Sequence, residues 1–428
     1  MQNSMKSSIS KAAALLAVGL CMPCAAQSYF YKDFDKMSGT QIGHNGKYAA
    51  VPRNENAGIS AMALAKGSVF YGGTHAIAGR PAWLFEGDVE KKDVAKAVCL
   101  TDKVPNQSIV TCLKYDAATG TVYGSTRNLR QGKWLPEFDF QEITTNMSRD
   151  ENKEKDIRPP AGHLFMFTSL DKITDLGVAV DSEGVYSFVL YKPGNAIYGI
   201  TDHWKLFKFD LAAKKSKIVY DFLPVDTNEH NRSRFRFFGE KLIIDKTGAI
   251  WGTGFEGQFF TVDVKKDTIQ YHDVFLPSIR GREQINGVQS WVLSADSIIY
   301  GGTRADGILF SFDPAKKICR NLGKPNYSVG MPGIAVNKFN LVYMLAGNRD
   351  NNVHIMAYDA KQHYYIDYGV PHVKIPAANY SCRTFQLGPC FFYKDTTLVI
   401  GDNDRDGHVV FITTGQSLPK QQGYPKGE

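Results

Sequence analysis

One phrase recurs along this chain at intervals of about 45–55 residues, the spacing of propeller blades. It runs: an apolar pair, one or two small residues, a polar loop, then a short alternating strand. The copy IYGGTRADGILFSFDP, from Ile299 to Pro314, states it in full. Others begin at Phe70 (FYGGTHAIAGRPAWLFEGD), Val122 (VYGSTRNLRQGKW, with its partner strand later at GHLFMFTSL), Ile197 (IYGITDHWKLFKFD) and Ile250 (IWGTGFEGQFFTVD). Two looser copies begin at Val342 (VYMLAGNRDNNVHIMAYD) and Leu398 (LVIGDNDRDGHVVFITT). Short runs that end in turns, such as VTCLKYDAATG, LIIDKTG and WVLSADS, precede the copies, and another strand often follows them. That makes four strands per unit.

A four-stranded sheet cannot bury both of its faces alone. Stacking such sheets radially covers each face with a neighbour and leaves only short edges. Seven units therefore predict an all-β, seven-bladed β-propeller. The segment SYFYKDF, from Ser28, is expected to supply the outer strand of the last blade and close the ring. The glycines open no helix, which removes a dinucleotide-binding reading.

The second strand of a blade ends, and its third begins, on the side where one blade connects to the next. The variable residues after each glycine motif should therefore converge around the channel. They include His75 in blade one, Arg127 in blade two, Asp202, His203 and Trp204 in blade three, Arg304 and Asp306 in blade five, and Arg349 in blade six. The connections add Asn286 and Arg383, and Tyr186 stands at a blade start. Arginine binds carboxylates bidentately and stays charged, and a funnel lined with it concentrates anions. An acidic oligosaccharide or polysaccharide is the expected partner. The competing reading is that these are ordinary solvated loop charges.

The N-terminus places Lys6 and Lys11 before the apolar run AAALLAVGLCMPCAA, then small residues up to Gln27. That is the layout of a secretory signal peptide. The expected organisation is a signal peptide, 1–26, and one propeller domain, 27–428, in a periplasmic or secreted monomer. No other run is long enough to span a bilayer, so no membrane partner is expected. A net charge of +7 without any nucleic-acid module gives no reason to expect DNA or RNA. Export permits disulfides, with Cys99–Cys112 and Cys382–Cys390 as candidate pairs and buried free thiols as the alternative.

Two loops stand out. Blade two carries a long insertion, 129–162, in which Trp134 offers a ring on which a sugar could stack. DNDRDG, 402–407, spaces Asp402, Asp404 and Asp406 as a calcium loop does. Thr413 stands where such a loop would carry its bidentate glutamate, so a metal-free aspartate turn competes with a structural calcium. No other cofactor is required.

The repeated YGGT…LFSFDP units, the leader and the length resemble secreted seven-bladed propeller enzymes that act on L-rhamnose–D-glucuronate linkages, a lyase and α-L-rhamnosidase group related to propeller ulvan lyases. The resemblance covers nearly the whole mature chain, and it specifies architecture better than chemistry. It implies cleavage of that linkage in acidic plant polysaccharide. For a lyase, Arg127, Arg304 or Arg349 would neutralise the uronate, His75 or His203 would move protons, and Tyr186 would serve as acid. For a rhamnosidase, the resemblance implies one histidine near the N-terminus, and His44 stands at that rough position. A propeller that binds acidic glycans without chemistry is the third reading.

Overall fold

The computed structural model describes residues 37–41, 58–75, 81–128, 161–222, 239, 241–348, 353–375, 380–383, 386–403 and 407–418. The fold is that of the unit Ser38–Glu428. Seven four-stranded antiparallel sheets stand in a ring as a β-propeller. Blade five shows the plan: inner strand Val288–Leu293, second Ile299–Thr303, third Leu309–Asp313, outer Ile318–Gly323. The other blades start at Ile59, Ile109, Val185, Ile243, Gly333 and Leu387.

The repeated phrase has a packing cause. In each of the first five blades the glycine of the second strand pairs directly with a phenylalanine of the third: Gly72 with Phe85, Gly124 with Phe165, Gly199 with Phe207, Gly252 with Phe260 and Gly301 with Phe310. All five rings are fully buried. A Cβ on Gly301 would lie 2.4 Å from Cζ of Phe310, and one on Gly72 would lie 2.0 Å from Cζ of Phe85. The ring thus occupies the space that a side chain on its partner would need, an aromatic cover over a strand glycine. Blades six and seven fill the same place with Met344 opposite Met356 and Ile400 opposite Val410, which is why their sequences are looser.

In five blades the third strand ends in an aspartate that makes the next turn. Oδ1 of Asp88, Asp210, Asp263, Asp313 and Asp359 accepts the amides two and three residues on. The residue four positions on (Lys92, Lys214, Asp267, Lys317 or His363) takes positive φ, 51–59°. That conformation closes a tight hairpin. Between blades, aromatic rings make the core. Phe259 of blade four stacks on Phe312 of blade five at 4.3 Å, and Trp251 meets the same ring edge-on at 4.9 Å.

Two expectations are corrected. The strand that completes blade seven is Met37–Gln41, hydrogen-bonded beside His408–Thr413. It begins downstream of SYFYKDF, which itself lies outside the described residues. Cys99, Cys112, Cys319 and Cys390 are free thiols, so neither candidate disulfide forms. Cys112 and its neighbours are packed into the sheets, and burial alone pushes Cys319 and Cys390 up to about 12. Among the described residues no helix is long and apolar enough to cross a membrane.

Candidate functional site

On the connection face the backbone forms a continuous arc from blade one to blade three. His75 bridges Ile109, the first residue of blade two's inner strand. Ile109 in turn pairs with Arg127, the last residue of that blade's second strand. Gly184, entering blade three, lies against both Arg127 and Asp202. A Cβ there would meet Cβ of Arg127 at 2.4 Å and Oδ2 of Asp202 at 2.7 Å. Glycine is what lets the two side chains close on the same stretch of chain. The Gly184 amide donates to Asp202 Oδ1 at 3.0 Å, and the Asp202 amide donates to the Gly184 carbonyl at 3.0 Å.

Side chains gather on this arc. The Arg127 guanidinium carbon lies 4.9 Å from the centre of the Tyr186 ring, and the Trp204 ring packs against the same ring, tilted by 37°, at 5.5 Å. Arg127 and Trp204 are both buried, so this contact is walled rather than surface-exposed. Arg304 reaches the group from blade five. Burial lowers its pKa below the arginine value, the Tyr186 phenol opposes that shift, and the positive charge of Arg127 adds to it. Lys241, at the entry to blade four, behaves alike. Burial lowers its pKa, Cys112 opposes, and the charges of Lys114 and Arg127 add to the fall. The charge of Arg127 thus bears on cations from blades four and five.

Beside Arg127 stands an acidic group. Nδ1 of His203, a half-exposed residue, is 3.0 Å from Asp202 Oδ1. Glu183, 5% exposed, forms an ion pair with Lys205, the first residue of blade three's third strand.

The sequence-derived candidates separate as follows. Arg127 and Tyr186 come together, the charges of both act on Arg304, and His203 adjoins them through Asp202 and Trp204. His75 sits at the far end of the arc, where a Cβ on Gly58 would meet its Cε1 at 2.4 Å and the Asn403 carbonyl oxygen at 2.3 Å. Asn286 and Asp306 are engaged within the connection into blade five. Both are fully buried. Asn286 Nδ2 donates to the Pro277 carbonyl at 2.8 Å, and Asp306 accepts the Ile279 amide at 3.0 Å while lying 3.2 Å from Arg282 Nε. Together they pin the connection into blade five. Asp402 is buried with its Oδ2 3.1 Å from Nδ1 of His408. Arg383 ends a strand of an extra hairpin, His372–Ile375 with Tyr380–Arg383, between blades six and seven. Its side chain lies outside the described residues, as do His44, Trp134, Arg349, Asp404 and Asp406. Glu183, Lys205 and Lys241 were not foreseen. Their one sequence signal is position, each at a strand entry on the connection face.

No protein-family profile matches the sequence, and no curated protein sequence matches it. Solved structures do match. One is the extracellular domain of the one-component system BT4673 from B. thetaiotaomicron, at 10% identity and a TM-score of 0.51, covering 88% of this chain and 40% of that one. Another is YCF48 bound to D1 peptide, at 10% identity and a TM-score of 0.53, covering 89% and 97%. Virginiamycin B lyase from Staphylococcus aureus matches at 11% identity and a TM-score of 0.53, covering 89% and 99%. This chain thus spans well under half the length of the BT4673 chain. At such identities the likeness is one of fold: the chain is similar to the extracellular domain of a one-component system, to a protein solved with a bound peptide and to a lyase.

Proposed function

We propose that this protein is an exported enzyme that cleaves the linkage between L-rhamnose and D-glucuronate in acidic polysaccharide by β-elimination. The observation that carries the reading is the stacking of Arg127 on Tyr186 across two blades, with Arg304 of a third blade feeling the charge of both. Elimination on a uronate needs its carboxylate neutralised, so that the C5 proton becomes acidic. Two guanidiniums whose charges act on each other suit an anion, because a shared carboxylate relieves their mutual repulsion. Tyr186, against Arg127, is the group to move the proton. The C5–H electron pair becomes the C4=C5 bond, the C4–O bond breaks, and the departing rhamnose oxygen takes a proton. Trp204 supplies an apolar wall beside the reacting ring. The structural likeness to a lyase and to extracellular domains accords with this reading at the level of fold.

The test is to incubate the protein with rhamnose-capped glucuronate oligosaccharides and follow ultraviolet absorbance and product mass together. The expected result is an unsaturated uronate, lost in Tyr186→Phe and Arg304→Ala. Free rhamnose without absorbance would point to hydrolysis and to His44. Binding without turnover would make the protein a glycan-binding propeller. Either outcome overturns the elimination.

A further inference from the structure

We infer that Glu183, Asp202 and His203 form a binding site for a divalent transition-metal ion, with zinc as the ion that fits best. The inference does not rest on the proposed elimination. One carboxylate oxygen from each acid and a ring nitrogen of His203 lie within 4.8 Å of one another. A tetrahedral zinc with bonds of about 2.0–2.2 Å holds its ligands roughly 3.4 Å apart, so the three need to close by about an ångström. His203 is the most exposed of the three, with 54% of its side chain open to solvent and Nδ1 already 3.0 Å from Asp202 Oδ1. It also sits in a tight turn, before Trp204 at a φ of 62°.

A second observation points the same way. Glu183 is 5% exposed, and its Oε2 is buried with no hydrogen-bond partner. A buried carboxylate oxygen without a partner costs free energy. Oε1 of the same carboxylate is held by Lys205, so the acid is already oriented from its other side. Asp202 is likewise fixed, by the Gly184 amide on Oδ1 at 3.0 Å. One buried and one half-buried carboxylate, both oriented, beside an exposed imidazole make an open three-ligand site in which water completes the shell. The mixed nitrogen and oxygen donors select zinc or its transition-metal neighbours over calcium or magnesium, which prefer oxygen alone. Arg127, close to Asp202 across Gly184, and the Lys205 ammonium set the limit on affinity, since both repel a cation.

The experiment uses the full chain without a histidine tag. Zinc is added, the protein is passed through gel filtration, and bound metal is counted by elemental analysis. A parallel sample takes Co²⁺, whose visible absorption reports a low-coordinate nitrogen and oxygen environment. One equivalent of zinc is expected in the wild type and none in Glu183→Gln or His203→Ala. Excess calcium should leave the zinc in place. Absence of zinc from the wild type overturns the inference, and so does retention of it by His203→Ala. That exposed position decides the matter alone if Glu183→Gln fails to fold. The count of bound metal is independent of any uronate product, so a failure here and a failure of the elimination are read separately.

Discussion

The guanidinium of Arg127 lies 4.9 Å over the ring of Tyr186, joining the last residue of a blade-two strand to the inner strand of blade three. A flat cation on an aromatic face packs and pairs at once. Lysine keeps the charge but offers neither the planar stack nor the two-pronged grip on a carboxylate. Arg127→Lys is therefore expected to weaken binding of a glucuronate oligosaccharide about tenfold or more, which is about 1.4 kcal/mol. Arg320→Lys, on the exposed outer strand of blade five, should leave binding unchanged. Calorimetric titration of both variants checks this, and equal binding by Arg127→Lys would remove the residue from the site.

Gly301 pairs with Phe310, whose buried ring leaves 2.4 Å for any Cβ on the glycine. Gly301→Ala must push that ring toward its neighbours. Overpacking of this kind costs about 1–3 kcal/mol, and thermal unfolding should show a lower midpoint. Phe310→Leu in the same background should recover part of the loss, because the two residues share one space and their effects are not additive. Additive losses would show that the glycine is retained for another reason.

The same pair explains how much was legible beforehand. The glycine and its phenylalanine recur because each blade needs the ring over the gap, so the blade count and strand order could be read from spacing alone. Inward-facing loop residues carry no such mark. Asn286 and Asp306 have the composition of ligand-binding residues, and both also hold the 277–286 connection. Which way a loop side chain turns depends on contacts between blades that no local pattern encodes. Glu183 shows the converse. Its sequence context, DSEGVY, reads as a turn, and only the packing of Gly184 against Arg127 and Asp202 reveals that it stands beside the channel mouth. The closing strand shifted for a related reason, since several short alternating runs near the N-terminus have equal strand character.

Asp306 provides a stability test that separates structural from ligand-facing charges. It is fully buried, accepts the Ile279 amide at 3.0 Å, and lies 3.2 Å from Arg282 Nε. Asp306→Ala strands that amide and leaves the guanidinium without its carboxylate. A loss of about 1–3 kcal/mol is expected, together with faster proteolysis within 277–286. The change should leave glycan affinity within about twofold of wild type once the folded fraction is taken into account. A large selective loss of affinity in protein that is fully folded would return Asp306 to the binding site.

His354 opens the third strand of blade six with Nδ1 2.9 Å from Oδ2 of Asp367 on the outer strand. The hydrogen bond to Asp367 raises the imidazole pKa, burial opposes it, and the carboxylate charge adds to the rise. In the unfolded chain a histidine titrates near about 6.5. Below that value the imidazolium is present in both states, and its pairing stabilises the fold in full. As pH climbs from there through the higher folded value, the native protein loses the proton and the contribution fades. Asp367 is 43% exposed, so water screens the pair and its worth stays at about 1 kcal/mol or less. The melting-temperature difference between wild type and His354→Gln should accordingly be largest near about pH 6 and shrink steadily toward about pH 9. Following both proteins by thermal denaturation across that range isolates this one group from the other histidines, which titrate equally in both. A difference that stays constant with pH would mean that the bond to Asp367 does not depend on the imidazole's charge.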